Sequence, residues 1–158
     1  MNIITYHRAT VKDVHILVEN RILFAIELGG EPPEDTLCAL RQQLTNYFAK
    51  ATGENSCISY IAKCDGEVAG IGSVHLREMP GNLKNPSGKW GYIMNMYTLP
   101  AYRRKGICKG ILNALVADAS QQGITGFELH ATLEGEKVYK QEGFIIHNEP
   151  TYRKFVTR

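Results

Sequence analysis

The first third of the chain alternates between apolar patterns typical of a strand and of two amphipathic helices. Residues 3–8 alternate like a half-buried strand, and Thr10 with Asp13 supplies the residue types that begin a helix. A second helix is predicted after the Gly- and Pro-rich break at residues 29–33, ending near Gly53. The apolar residues at helical spacing in these two segments are Val14, Leu17, Val18, Ile22, Leu37, Leu40, Leu44, Tyr47 and Phe48.

The middle of the chain predicts a hairpin, a long strand and a third helix. Strands at residues 58–62 and 68–76 flank Asp65-Gly66, a pair that a primed two-residue turn prefers. A polar loop separates them from a strand at residues 90–98. The helix that follows is capped by Gly123. Its apolar stripe comprises Ile107, Ile111, Leu112, Leu115, Val116 and Ala119.

The last third predicts a short strand at residues 127–131, a helix at 132–142 and a terminal strand at 152–156. Thr132 suits the start of that helix, and Gly143 suits its end because glycine readily adopts the left-handed conformation. We find no repeat, linker or low-complexity tract. The sequence therefore predicts one domain over residues 1–158 that contains both helices and strands. Its fold class is α/β in the broad sense and α+β in the narrower one.

The loop between the long strand and the third helix carries the clearest chemical signal. An apolar strand passes through a proline turn into a cationic glycine loop, where the first N–H groups of a helix have no intrahelical partner. Such a helix start binds a diphosphate on its backbone, and cationic side chains screen the charge. The cations here are Arg103, Arg104, Lys105 and Lys109. The loop predicts a phosphorylated cofactor, although a solvated basic helix start is the alternative.

Two nucleotide-binding motifs do not fit this loop. Gly110 is not followed by the Lys and Ser or Thr of a Walker loop, and Cys108 stands where a dinucleotide fingerprint needs its second glycine. The pattern Arg103-x-x-Gly106-x-Cys108 instead resembles the acetyl-CoA loop of the GNAT superfamily of N-acetyltransferases. A second GNAT motif lies downstream, where Tyr139 precedes Gly143-Phe144 by four residues. Tyr139 alone would equally fit a core aromatic.

The resemblance covers nearly the whole chain and implies a fold. It implies a mixed, mostly antiparallel central sheet of six to seven strands, flanked by about four helices and splayed between strands 4 and 5. The chain departs from the GNAT pattern at two positions: Cys108 replaces the usual Gly or Ala, and Thr132 stands where many members have Asn.

The resemblance also implies roles for individual residues. Tyr139 would face the departing sulfur, Met96 or Tyr97 would offer a backbone N–H to the thioester carbonyl, and His130 or His75 would act as the base. Each histidine fits a structural role as well. The residues expected to contact acetyl-CoA are Met96, Tyr97, Thr98, Arg103, Arg104, Lys105, Gly106, Ile107, Cys108, Lys109, Gly110, Thr132 and Tyr139.

The acceptor side is less defined. Glu27 would lie near the acceptor loop and is a further candidate base. Together with Glu31 it would attract a cationic amine, unless both simply belong to a solvated face. The resemblance thus implies an acetyl-CoA-dependent N-acetyltransferase that acts on a primary amine, in a small molecule or a peptide, by direct attack in a ternary complex, with CoA as product. The alternative is a catalytically silent acyl-CoA-binding or sensing module.

Composition narrows the function classes. A net charge of +2 over 158 residues, with the cations gathered at one loop, argues against nucleic acid as a partner. No leader or membrane-length apolar run is apparent, so no membrane partner is expected. The four cysteines lack metal-ligand spacing, which predicts no metal and free thiols in a reducing cytoplasm. A homodimer is compatible with the resemblance.

Overall fold

One open sheet of five strands forms the centre of the protein in the computed structural model, which describes residues 1–157. The strands lie side by side in chain order, with antiparallel pairing from the first to the fourth and parallel pairing between the fourth and fifth. The predicted mostly antiparallel sheet is therefore confirmed, with five strands in place of six to seven. The strands are β1 (Ile4–Arg8), β2 (Cys57–Cys64), β3 (Glu67–Glu78), β4 (Lys89–Thr98) and β5 (Gly126–Leu129).

The described residues form four α-helices, as predicted: α1 (Val14–Gly29), α2 (Glu34–Gly53), α3 (Ile107–Gln121) and α4 (Glu136–Gln141). Two apolar clusters form the core. One joins α1 and α2 to the sheet through residues such as Leu17, Phe48 and Ile71. The other joins α3 to it through residues such as Ile111 and Val74. In the part of the chain that the structure describes, no helix is long and apolar enough to cross a membrane.

The hairpin between β2 and β3 has the predicted turn. Asp65 and Gly66 both adopt positive φ, at 51° and 89°. A primed turn requires this conformation at both central residues, and its twist matches that of the flanking strands. The dipeptide therefore sets the register that pairs Cys64 with Glu67.

The sheet opens between β4 and β5, as the resemblance implied. Their pairing runs from Trp90–Gly126 to Ile93–Leu129 and stops there, while β4 continues to Thr98. Within residues 1–157, no strand therefore pairs with the outer edge of residues 94–98. The β3–β4 register also shifts here, and Asn95 has a positive φ of 58°. A bulge and a free strand edge therefore coincide.

Two predictions near the C-terminus are wrong. Residues 152–156 are not in a strand, because an apolar alternation produces one only where a neighbouring strand pairs with it. The last helix begins at Glu136, with Gly135 at its N-cap, and not at residue 132. The Thr132 hydroxyl accepts the Gly135 N–H at 3.3 Å, so it stabilises the turn before the helix.

Candidate active site

The loop after β4 leaves the start of α3 without a cap. Gly106 is the N-cap residue, has φ 76° and makes no side-chain cap hydrogen bond. The first helical bond closes from the Gly110 N–H to the Gly106 carbonyl, at 3.0 Å. The N–H groups of Ile107, Cys108 and Lys109 precede it and have no intrahelical acceptor. These three donors at the positive end of the helix dipole can bind an anion.

The space in front of this helix start is open. A side chain built at Gly106 would meet no atom within 4 Å of its Cβ. Arg104, with φ 63°, and Lys105 are exposed beside it. The loop therefore presents backbone donors and cationic side chains to one unfilled space, as the sequence predicts for a diphosphate.

Arg103 is held within the protein. Its Nη2 donates to both carboxylate oxygens of Glu27 at 2.8 Å, and its Nε donates to the carbonyl of Thr98 at 3.0 Å. This hydrogen-bonded pairing lowers the pKa of Glu27. Arg103 thus joins the end of α1 to the end of β4. Glu27, which the sequence assigned to the acceptor, lies in an ion pair with the cofactor loop, and Glu31 is exposed in the loop between α1 and α2.

The first turn of α3 contacts other elements of the fold. Lys109 forms an ion pair with Glu142 just beyond α4, with 3.1 Å between Nζ and Oε1. Gly110 lies against the ring of Tyr6, where a Cβ would overlap the phenol. Gly110 is thus placed for helix–strand packing, and its own N–H is already bonded. Cys108 is half-buried, and burial raises the pKa of its thiol.

A small cavity of about 50 Å³ lies at the opening between β4 and β5. Tyr139 lines it, is 8% exposed and packs edge-on against Phe144 at a centroid distance of 6.0 Å. Burial, with a smaller contribution from Cys108, raises the pKa of the phenol. The cavity is lined by Phe24, Ile93, Met94, Asn95, Met96, Leu129, His130, Thr132 and Tyr139. The structure thereby brings the predicted residues Met96, Thr132, His130 and Tyr139 together.

The two histidines have different surroundings. His130 lines the cavity, with Nδ1 at 2.9 Å from the Tyr92 hydroxyl and Nε2 at 3.3 Å from the Thr151 hydroxyl. His75 lies on β3, with Nδ1 at 3.4 Å from the Tyr47 hydroxyl, and is not among the residues lining that cavity. His130 is the histidine that the fold places at the opening.

Five residues that line the cavity were not predicted as site residues from the sequence: Phe24, Ile93, Met94, Asn95 and Leu129. Phe24 on α1 stacks on Tyr97 at a centroid distance of 5.4 Å, and Asn95 lies at the bulge of β4. Phe24 falls outside the apolar stripe of its helix that the sequence identified. The signal for Asn95 was a polar residue inside an otherwise apolar strand.

The comparisons with known proteins agree with this geometry. The model of the Acetyltransferase (GNAT) family matches residues 22–144, a range that includes the cationic loop and Tyr139. The chain belongs to the GNAT acetyltransferase family. A predicted acetyltransferase from Clostridium acetobutylicum, solved with acetyl-CoA, is 32% identical with a TM-score of 0.86, and the match covers 96% of each chain.

A second GNAT structure shares the fold at lower identity. The GCN5-related N-acetyltransferase from Ralstonia eutropha is 22% identical with a TM-score of 0.84, over 96% of this chain and 98% of that one. A comparison with curated proteins found no significant match. As a GNAT member, the protein is an N-acetyltransferase, and acetyl-CoA is its cosubstrate.

Proposed function

We propose that this GNAT protein transfers the acetyl group of acetyl-CoA directly to a primary amine while both substrates are bound. Acetyl-CoA supplies the acetyl group as a thioester, whose carbonyl carbon is open to attack. One observation carries the proposal: three features of the site follow one another in space. The uncapped start of α3 is next to the free edge of β4, and that edge leads to the cavity beside Tyr139.

The donor would be held by backbone groups more than by side chains. The N–H groups of residues 107–109 would bind the diphosphate, with Arg104 and Lys105 screening its charge. The edge of β4 at residues 94–98 would pair with the amides of the pantetheine arm as an added strand does. The empty space at Gly106 fits this assignment, because a phosphate needs close approach to the backbone there.

Tyr139 would donate a hydrogen bond to the sulfur as it becomes a thiolate. Burial raises the pKa of Tyr139, so the phenol stays protonated at neutral pH. Because an unperturbed phenol has a pKa near 10 and a thiol one near 8.5, handing over the proton is unfavourable by about 2 kcal/mol even before burial. Hydrogen bonding is therefore the role that fits best.

The state of Cys108 favours direct attack over an acetylated enzyme. It is the cysteine nearest the loop, but burial raises its pKa, and a protonated thiol is a poor nucleophile. We expect Cys108→Ala to retain turnover within about threefold, because no covalent step depends on it. Initial rates should give intersecting lines when both substrates are varied. Parallel lines together with an inactive Cys108→Ala variant would contradict direct attack.

Proton movements must balance in this reaction. The neutral amine forms the N–C bond, the C–S bond breaks, nitrogen loses one proton and sulfur gains one. Deprotonating a lysine-like amine at pH 7 costs about 4–5 kcal/mol and an α-amine only about 1. His130 would take the proton that the amine nitrogen loses, because His130 lines the cavity.

The acceptor is proposed only as a primary amine. Similar structures include a ribosomal-protein-alanine N-acetyltransferase from Brucella melitensis and a glucosamine-6-phosphate N-acetyltransferase from Arabidopsis thaliana, at 16% and 14% identity. An aminoglycoside acetyltransferase from an uncultured soil sample is also similar, at 12% identity. An alanine-starting peptide, glucosamine 6-phosphate and an aminoglycoside therefore make a first panel. Acetyl-CoA with each amine should release free thiol in proportion to acetylated product. Tight acetyl-CoA binding without amine-dependent thiol release across a widened panel would favour the silent binding module.

We also propose that the protein forms a homodimer through its C-terminal segment. Five large apolar residues there are exposed by 69–90%: Ile145, Ile146, Tyr152, Phe155 and Val156. Large apolar side chains exposed along one segment favour burial against a partner. Light scattering should give twice the chain mass, and Tyr152→Ser with Phe155→Ser should give the monomer.

A cytoplasmic location stays a prediction, supported by the free cysteines.

A further inference from the structure

Asn95 is a buried polar residue whose amide makes no internal hydrogen bond. The residue is 6% exposed, and within residues 1–157 neither Oδ1 nor Nδ2 has a hydrogen-bond partner. Buried polar groups are normally paired, because burial removes their bonds to water. An amide with both atoms unpaired is therefore free to bond to a ligand that enters the cavity.

Asn85 provides the matched case in the same protein. It is 5% exposed, its Nδ2 donates to the Lys89 carbonyl at 2.9 Å, and its Oδ1 accepts from the Ser87 hydroxyl at 2.8 Å. Asn85 thus completes a loop with its own bonds. The two asparagines are equally buried, so burial alone does not explain the unpaired amide of Asn95.

The backbone conformation does not explain why an asparagine, with its unpaired amide, stands at this position. Asn95 has φ 58°, a left-handed conformation that Asn tolerates well and Gly better. Glycine would provide the bulge without burying two unpaired polar atoms. The other non-glycine residues with positive φ, namely Asn55, Asp65 and Arg104, are exposed and can bond to water.

Asn95 lies where the reacting groups would meet. It lines the cavity that Tyr139 and His130 also line. Along β4, Thr98 is nearest to the anion-binding loop and Asn95 lies three residues further from it. If the donor runs along this edge from the loop, its acetyl end reaches the bulge.

We propose that the Asn95 carboxamide holds the amine and the acetyl group together: Oδ1 accepts a hydrogen bond from the attacking amine, and Nδ2 donates one to the acetyl oxygen. As the N–C bond forms, the amine nitrogen and the acetyl oxygen come to share one carbon. The carboxamide likewise carries its oxygen and nitrogen on one carbon. The two units can pair side by side with two hydrogen bonds, which satisfies both orphan atoms of Asn95. This assignment rests on the proposed acetyl transfer.

Asn95→Gly tests the proposal because it keeps the bulge conformation and removes the amide. We expect kcat/KM for whichever panel amine the wild type acetylates fastest to fall about 10- to 100-fold. The calorimetric Kd for CoA should stay within about twofold, because CoA lacks the acetyl oxygen. Asn85→Ala is the control: it should lower the melting temperature and leave kcat/KM unchanged.

A binding measurement gives a second readout that does not depend on turnover. In ¹⁵N-labelled protein, the side-chain NH₂ pair of Asn95 is identified by its loss in Asn95→Gly. Acetyl-CoA should shift this pair, and CoA should shift it less, because only acetyl-CoA presents a carbonyl oxygen to Nδ2. A side-chain pair that does not respond to acetyl-CoA would overturn the assignment.

The outcomes separate this inference from the proposed function. Wild-type turnover with an unchanged kcat/KM in Asn95→Gly removes Asn95 from the reaction and leaves acetyl transfer intact. A wild type that neither binds acetyl-CoA nor releases thiol with any amine overturns acetyl transfer and this inference together.

Discussion

The first helical segment and α3 differ in whether the backbone N–H groups at their starts are hydrogen-bonded by a side chain. Thr10 and Asp13 form a capping box: the Thr10 hydroxyl accepts the Lys12 N–H at 3.3 Å, and Asp13 accepts the Thr10 N–H at 2.8 Å. Gly106 leaves the first donors of α3 uncapped in open space. The first start is stabilised by its own side chains, whereas the second can be satisfied by an external anion.

The buried asparagines repeat this difference inside the protein. Asn85 uses both amide atoms within its loop, and Asn95 uses neither. Unpaired polar groups thus lie at both ends of the proposed donor site. A polar group that the fold satisfies contributes to stability instead.

The largest expected effect comes from closing the open helix start with Gly106→Val. The new side chain would occupy the space that the diphosphate needs, so we expect acetyl-CoA affinity to fall by about 100-fold or more by calorimetry. The fold should survive, because no atom lies near the new Cβ. Strain from the φ of 76° should cost about 1–2 kcal/mol.

Gly123→Val is the matched control. Gly123 also has a positive φ, at 86°, and empty space around its Cβ, but it lies beyond the other end of α3. It should lose similar stability and keep its acetyl-CoA affinity. Equal affinities in the two folded variants would mean that the open helix start is not the donor site.

The next effect is kinetic and concerns the far end of the same site. Tyr139→Phe keeps the ring and its contact with Phe144 but removes the hydroxyl. If that hydroxyl stabilises the leaving thiolate, kcat should fall by about 100-fold while the Kd for acetyl-CoA stays nearly constant. A variant that loses thermal stability but retains the wild-type kcat would show that Tyr139 is only a core residue.

A smaller effect is expected at the capped start. Thr10→Ala removes the hydroxyl that accepts the Lys12 N–H, which should cost about 1 kcal/mol in the free energy of unfolding measured with urea. The Kd for acetyl-CoA should not change, since Thr10 is outside the set of residues proposed to bind the donor. A loss of affinity without a loss of stability would reverse the roles that we assign to the two helix starts.

The uncapped helix start of the proposed donor site could be predicted from the sequence because its determinants are local. The turn at Pro100, the cations and Gly106 are consecutive, and short-range geometry is enough to define an uncapped helix start. Tyr139 and Gly143-Phe144 likewise form a short motif. The hairpin followed from Asp65-Gly66 together with the apolar strands on either side of it.

The remaining features depend on contacts between distant residues. The bond from Arg103 to Glu27 spans 76 positions, so no local pattern predicts that this cation is already paired. The burial and the unpaired amide of Asn95 depend on the packing around the β4 bulge, which the local sequence does not contain. Residues 152–156 alternate like a strand, but pairing, which a local pattern does not contain, decides whether a strand forms.

In the proposed donor complex, one molecule of acetyl-CoA bridges the open start of α3 and the free edge of β4. Amide hydrogen exchange measured with and without acetyl-CoA reports on both segments at once. We predict slower exchange at residues 107–109 and 94–98 together, and no change at the capped start near Thr10. Slowing confined to one of the two segments, or to neither, would contradict this binding mode.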